Sequence, residues 1–262
     1  MGPEPSTPLP RSPPTAATSV RVPVPRLREG EHRLGAEVAR YLASARRLKA
    51  GDSFIAFDPA RGLEADGEVL ELIPGELVAR IGPLRAALLV ATRAVTWIQA
   101  LPKGEKMDAI VRDATELGVT CIVPVTTVFT VVKLEGTKRE VRRQRWERIA
   151  REAARQCGRS DAPEVRTIAT WAEALESAYA TGFCLYERGT APLGPLLQGA
   201  LAAPGPIAFA AGPEGGFAEE EIAQASEKGF QAVSLGPFTL RAETVAAATL
   251  GALRVLEGSR GT

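Results

Sequence analysis

The chain has 262 residues, of which 45% are hydrophobic and 24% charged, and its formal net charge is +1. That length allows one large or two small domains, with apolar content for an ordinary globular core. No apolar run approaches the roughly 18 residues that a bilayer span needs, and no basic start leads into an apolar secretory core, so a cytoplasmic protein is expected. His32 is the only histidine, and Cys121, Cys157 and Cys184 are scattered. This composition argues against a zinc site and histidine-based catalysis, and no metal is expected.

The near-zero charge hides a segregation. Residues 1–50 carry 9 Lys/Arg against 4 Asp/Glu, and residues 133–166 carry 11 against 6, so the remainder is acidic. Two basic patches on a nearly neutral chain suit localised phosphate contacts. The alternative is that these arginines solvate helix faces beside neighbouring glutamates, and charge alone favours that alternative.

Residues 1–18 hold Pro3, Pro5, Pro8, Pro10, Pro13 and Pro14 among Ser, Thr and Ala. They have little to bury and are expected to form a disordered tail. Residues 19–85 read as a small β-rich domain. Val20–Val22 is a first strand, and Gly35–Leu48 a helical pattern with Val38, Leu42 and Ala45 on one face. Ser53–Phe57 is a strand, and Gly67–Ile73 and Glu76–Ile81 form a hairpin parted by Pro74-Gly75. Several short strands and one helix predict a compact barrel.

From residue 86 to 262 strands alternate with helices, which predicts a parallel α/β sheet. Ala86–Ala91 and Val95–Ala100 are strand candidates. A helix starts at Pro102, carries Met107, Ile110, Val111, Ala114 and Leu117 on one face, and stops at Gly118. Lys103 and Lys106 lie in its first turn, where they oppose the helix dipole, which favours an external partner such as RNA phosphate. Cys121–Val125 is the next strand, with Val128–Val132 close behind. Lys138–Gly158 is the most basic helix, with Trp146, Ile149, Ala150, Ala153, Ala154 and Cys157 inward. Val165–Ala169 is a short strand, Thr170–Ala180 a helix with Trp171, Leu175 and Ala178 inward, and Gly182–Glu187 a strand. A last helix covers about Glu243–Glu257.

Two loops stand out in this half. Ile207–Ala210 leads into Ala211-Gly212-Pro213-Glu214-Gly215-Gly216-Phe217, and Ala232–Leu235 leads into Gly236-Pro237-Phe238-Thr239-Leu240-Arg241-Ala242-Glu243-Thr244. Each follows an apolar run and precedes a helical pattern. Ligands of parallel sheets bind outside the carboxyl ends of the strands, so the two turns predict a site built largely of backbone. The first loop is neither a dinucleotide fingerprint nor a P-loop. No lysine follows it to reach a phosphate, and Glu214 would repel one, so a neutral or cationic ligand suits it better. An ordinary strand-to-helix turn, and a plain salt bridge between Arg241 and Glu243, are the alternatives for each loop taken singly.

The pair of motifs, GPEGG followed by LGPxxLRxET, resembles the RsmE family of SPOUT methyltransferases. The resemblance extends through Leu101-Pro102-Lys103-Gly104-Glu105-Lys106-Met107, Glu116-Leu117-Gly118-Val119 and Gln156-Cys157-Gly158-Arg159, and covers roughly Val20 to Glu257. It implies an α/β fold with a SPOUT-type parallel sheet and a C-terminal trefoil knot, preceded by a small PUA-like β-barrel that binds RNA. It implies S-adenosylmethionine as methyl donor, N3 of a uridine in 16S ribosomal RNA of the small subunit as acceptor, and an antiparallel homodimer. On this resemblance the donor would be held by Leu185, Ala211, Gly212, Pro213, Gly215, Gly216, Leu235, Gly236 and Leu240. Arg21, Arg26, Arg46 and Arg47 of the barrel, with Lys103, Lys106, Arg155 and Arg159, would contact the RNA. Arg241 is the candidate for stabilising the N3 anion, with Glu243 orienting it. Rival readings are a SPOUT enzyme acting on another RNA nucleoside, an RNA-binding dimer without catalysis, and a nucleotide-utilising enzyme with a Rossmann-like sheet, which the missing signatures disfavour. The proline-rich tail is extra to the family pattern, and Ala39–Leu48 matches it only loosely.

Overall fold

The computed structural model describes residues 20–45, 47–91, 93–176, 179–189 and 191–258. The expected tail over residues 1–18, and the positions Arg46 and Ala178, lie outside the described residues. The described chain splits into two compact units that meet in sequence between Ala87 and Leu88.

The first unit contains β1 (Arg21–Pro23), β2 (Gly30–Leu34), α1 (Ala36–Arg40), β3 (Ser53–Asp58), β4 (Leu63–Ile73), β5 (Glu76–Ile81) and β6 (Arg85–Ala86). Its sheet runs β1-β3-β4-β5-β2, with β6 on β4; only the β1–β3 pair is parallel. The hairpin expected at Pro74-Gly75 is β4–β5, and Gly75 takes a positive φ of 82° there. The helical pattern is shorter than expected: α1 gives way to a π-helical turn at Tyr41–Ala45. The turn still leaves Leu42 fully buried among Val22, Leu27, Phe54, Val69 and Leu77.

Arg21 corrects an expectation. Its side chain is 1% exposed, Nη2 donates to Glu64 Oε2 at 2.5 Å, and the guanidinium lies 5.7 Å from the Phe57 ring centroid. Burial raises the Glu64 pKa, but Arg21 and Arg85 together outweigh it and hold the carboxyl below its usual range. A guanidinium sealed against a buried carboxylate cannot reach RNA phosphate, and Arg21 is a structural residue of this unit.

The second unit contains β7 (Val95–Ala100), α2 (Lys106–Glu116), β8 (Cys121–Thr126), α3 (Thr137–Cys157), β9 (Glu164–Val165), β10 (Ala169–Thr170) and α4 (Trp171–Leu175). It continues with β11 (Thr181–Leu185), β12 (Ala191–Pro192), α5 (Leu193–Leu201), β13 (Ile207–Ala211), α6 (Glu219–Glu227), β14 (Phe230–Ser234) and α7 (Ala242–Gly258). The sheet is parallel throughout, in the order β10-β8-β7-β13-β11-β14-β12, with β9 on β8. Strand residues alternate between two cores. Val95, Trp97, Phe183, Ile207 and Phe209 pack under α2, α3, α5 and α7, while Ile98, Cys184, Ala208 and Ala210 pack under α4 and α6.

Arginines lock this helix layer from the side. Gly118 has φ +84° and closes α2 as its sequence position predicts. The carbonyls left over at that helix end are taken by two guanidinium groups. Arg254 donates to Leu117 O at 2.6 Å and Gly118 O at 2.9 Å, and Arg159 donates to Thr115 O at 2.6 Å and Val119 O at 3.0 Å. Arg159 is 7% exposed and also pairs with Asp161 at 2.6 Å, so it caps a helix rather than contacting RNA.

Three other expectations are revised. Ala86–Ala91 is extended only at Ala86, and Leu88 is 70% exposed where the second unit begins. Val128–Val132 is not a strand; it follows the end of β8 and leaves Val128 and Val131 outside. Cys157 is exposed, because α3 ends there against the left-handed Gly158. Among the described residues no helix is long and apolar enough to cross a membrane.

Candidate functional site

The strand order brings the two glycine loops together. β11 bonds to β13 on one side and β14 on the other, and Leu185 is the register partner of both Ala211 and Val233. On β13, Ala211 is also opposite Gln99 of β7. One lateral row, Gln99–Ala211–Leu185–Val233, thus lies at the carboxyl edge of four parallel strands. The loops after β13 and β14 leave this edge on either side of the end of β11.

The first loop is tightly held. Gln99 is fully buried; its Nε2 donates to Ala100 O at 2.9 Å and Gly212 O at 3.2 Å, and its Oε1 accepts from Trp97 Nε1 at 2.9 Å. Gly216 N donates to Pro213 O at 3.0 Å, closing a turn. A Cβ on Gly212 would stand 2.8 Å from the Gly216 carbonyl carbon, so the loop folds onto itself where only glycine fits. Glu214 accepts from Lys103 N at 3.1 Å and from Lys106 Nζ at 2.6 Å, which ties the loop to the start of α2. Burial raises the Glu214 pKa, yet Lys106 and the backbone donors outweigh it, and the carboxyl stays below its ordinary range. Lys106 therefore has an internal partner in the protein without RNA, and Glu214 does not supply the uncompensated negative charge its sequence position suggested. The Lys103 side chain is exposed.

The second loop is loosely held. Gly236 N donates to Ser234 Oγ at 3.2 Å, Gly236 has φ +126°, and Phe238 is 82% exposed. Leu235 and Leu240 are half-buried. Arg241 is exposed, and among the described residues no hydrogen bond or ion pair restrains its guanidinium. Glu243 does not orient it. Its Oε2 is 4.0 Å from Lys106 Nζ and is buried without a hydrogen-bond partner. The chain thus places Lys106 between the carboxylates of both loops.

Two residues that sequence reasoning missed hold this edge. Gln99 was legible only as a polar residue near the end of an apolar strand. Glu221 read as one of three first-turn acids, but it is 5% exposed and accepts from Val128 N at 2.8 Å and Ala218 N at 2.9 Å. It fixes segment 127–130, from which Phe129 reaches Gly215. The two buried cysteines, Cys121 and Cys184, are poor nucleophiles. Burial pushes the Cys121 thiol up to about 11 and the Cys184 thiol further, so neither is a thiolate at neutral pH. Among the described residues no group of three or more His, Cys, Asp or Glu could hold a metal.

Comparison with known proteins decides the class. An RNA methyltransferase domain family matches residues 91–254, and an RNA methyltransferase PUA domain family matches residues 34–82. Ribosomal RNA small subunit methyltransferase E of Synechocystis is 34% identical over 222 residues, covering 82% of this chain and 70% of the relative. The chain belongs to that family. The enzyme of the same name from Mycobacterium tuberculosis is 32% identical over 223 residues, covering 82% of this chain and 83% of the relative. A crystal structure of ribosomal RNA small subunit methyltransferase E from Neisseria gonorrhoeae, bound to S-adenosyl methionine, superposes with a TM-score of 0.81 at 30% identity. It covers 91% of this chain and 98% of that one. Family membership accounts for the SPOUT-type parallel sheet and the PUA-like first unit.

Proposed function

We propose that this protein methylates N3 of a specific uridine in 16S ribosomal RNA of the small subunit, with S-adenosylmethionine as donor, in the cytoplasm. The observation that carries the reading is the convergence of two glycine loops on the end of β11, in a chain of the methyltransferase E family. The donor fits that edge. Gly212, Gly215 and Gly216 let the first loop pack tightly as one wall, Leu235, Gly236 and Leu240 belong to the loosely held other side, and Leu185, Ala211 and Pro213 lie at the strand ends between them. A buried carboxylate oxygen, Glu243 Oε2, stands there without a partner.

When bound, the donor supplies an electrophilic methyl on a positively charged sulfur. The chain's own contribution is placement and charge. Two converging backbone loops pre-position the reactants, which replaces entropy otherwise lost in the encounter. Uridine N3 must shed its proton before it attacks, and Arg241, whose guanidinium has no hydrogen bond or ion pair among the described residues, would stabilise the anion that forms. Glu243 Oε2 is a hydrogen-bond acceptor at the same edge. The N3 position is hidden in a base pair, so the target uridine is unpaired or turned out of its stack.

RNA contacts are assigned to Arg26, Arg47, Lys103 and Arg155. Arg26 and Arg47 are exposed and hold φ of 58° and 54°. That backbone conformation costs an L-residue about 1 kcal/mol or more, and such a cost at exposed arginines supports a functional placement. The trefoil knot and the antiparallel homodimer belong to the same reading; Val255, 70% exposed on the alanine-rich α7, supports a covered face there. The test is incubation of the purified chain with labelled donor and small ribosomal subunits, followed by mapping of the methylated base. Label on N3 of one uridine is the expected result. Label on another nucleoside redirects the substrate, and RNA binding without label leaves a non-catalytic dimer.

A further inference from the structure

We propose that Glu187 makes the donor pouch selective for a charged sulfonium over the neutral thioether that remains after methyl transfer. The proposal rests on the donor site assigned above. Glu187 lies two residues beyond the end of β11, the strand that runs between the two glycine loops. Its carboxylate lies against the first loop: a Cβ on Gly216 would stand 2.8 Å from Glu187 Oε1 and 3.0 Å from Oε2. Gly216 thus leaves room for that carboxylate, and its φ of +70° disfavours any other residue.

Three neighbouring carboxylates are answered within the protein. Glu214 is paired with Lys106, Glu219 with Arg188, and Glu221 accepts two backbone N–H groups. Glu243 Oε2 makes no hydrogen bond, but it is buried with Lys106 Nζ 4.0 Å away. Glu187 is different: among the described residues no hydrogen bond or ion pair engages it. A negative charge left unneutralised on the glycine loop lowers the energy of a cation bound there. It does nothing comparable for an uncharged sulfur in the same place. Substrate and product differ by one unit of charge at that sulfur, so such a carboxylate sorts one from the other and speeds product exchange.

The test is calorimetric titration of the full chain and of Glu187→Gln with S-adenosylmethionine and with S-adenosylhomocysteine. The variant keeps the shape and removes the charge at an exposed position, and its thermal unfolding should match that of the parent. The expected result is a rise of about tenfold in the Kd for the charged donor, on the order of one favourable charge interaction at a protein surface. The Kd for the neutral product should stay within about twofold. Equal losses for both compounds, or no loss for either, overturn the role of Glu187 while leaving the donor site in place. A parent chain that binds neither compound overturns the donor site itself, and the proposal with it.

Discussion

Loop 211–217 and loop 235–241 occupy equivalent places, each following a buried parallel strand, yet the chain holds them in opposite ways. The first is bonded to β7 through Gln99, to the start of α2 through Lys103 and Lys106, and to itself across Gly212 and Gly216. The second has a serine–glycine turn, an exposed phenylalanine and an arginine whose guanidinium is unrestrained among the described residues. A preformed wall needs its polar groups satisfied before ligand arrives. A group that acts on a developing charge needs to remain unsatisfied until then, because an internal partner would compete with the transition state. Rigidity on one side and availability on the other is a division of labour between binding and chemistry.

The largest test of that division is Arg241→Ala. It should lower methyl transfer by about 10²–10³-fold, the scale of losing one charge-stabilising donor, with folding by circular dichroism and donor affinity intact. Normal turnover would place the anion-stabilising group elsewhere. Next is a matched pair, one substitution in each loop. Gly212→Ala forces a methyl group into the Gly216 backbone and should weaken donor binding by about tenfold or more, since displacement of about 1 Å is costly in a preorganised site. Phe238→Ala, in the open loop, should leave donor affinity within about threefold; similar losses in both would erase the contrast.

Gln99→Leu is smaller in its effect. It strands the Trp97 indole N–H and two carbonyls, and should cost about 1–3 kcal/mol in urea unfolding. The smallest effect is in pH dependence. Glu214 is held below its ordinary pKa, so its pairing adds stability that is complete above the usual carboxylate range of about 4.3 and fades as pH falls through the lowered folded value. Lys106→Ala should move the Glu214 titration upward, read by carboxyl NMR shifts, and narrow the acid range over which the first loop stays pinned. An unmoved titration would mean that the Lys103 backbone alone holds that carboxylate.

Much of this was legible in one dimension. Apolar runs bounded by glycine marked the parallel strands, Gly118 marked the end of α2, and the paired motifs named the family, because each depends on residues close together in the chain. Charge was where linear reasoning failed. Arg21 and Arg159 looked like basic surface, yet one is sealed against Glu64 and the other caps α2 through Thr115 and Val119, partners 43, 44 and 40 residues away. Lys106 looked like a phosphate contact and is the counterion of Glu214, 108 residues on. Helices and strands follow from local periodicity, but whether a charge is used or neutralised depends on what the fold brings beside it. Here the decisive arrangement is the placement of β11 between β13 and β14, at an edge where Glu214 is paired with Lys106 while Arg241 and Glu187 have no hydrogen bond or ion pair among the described residues.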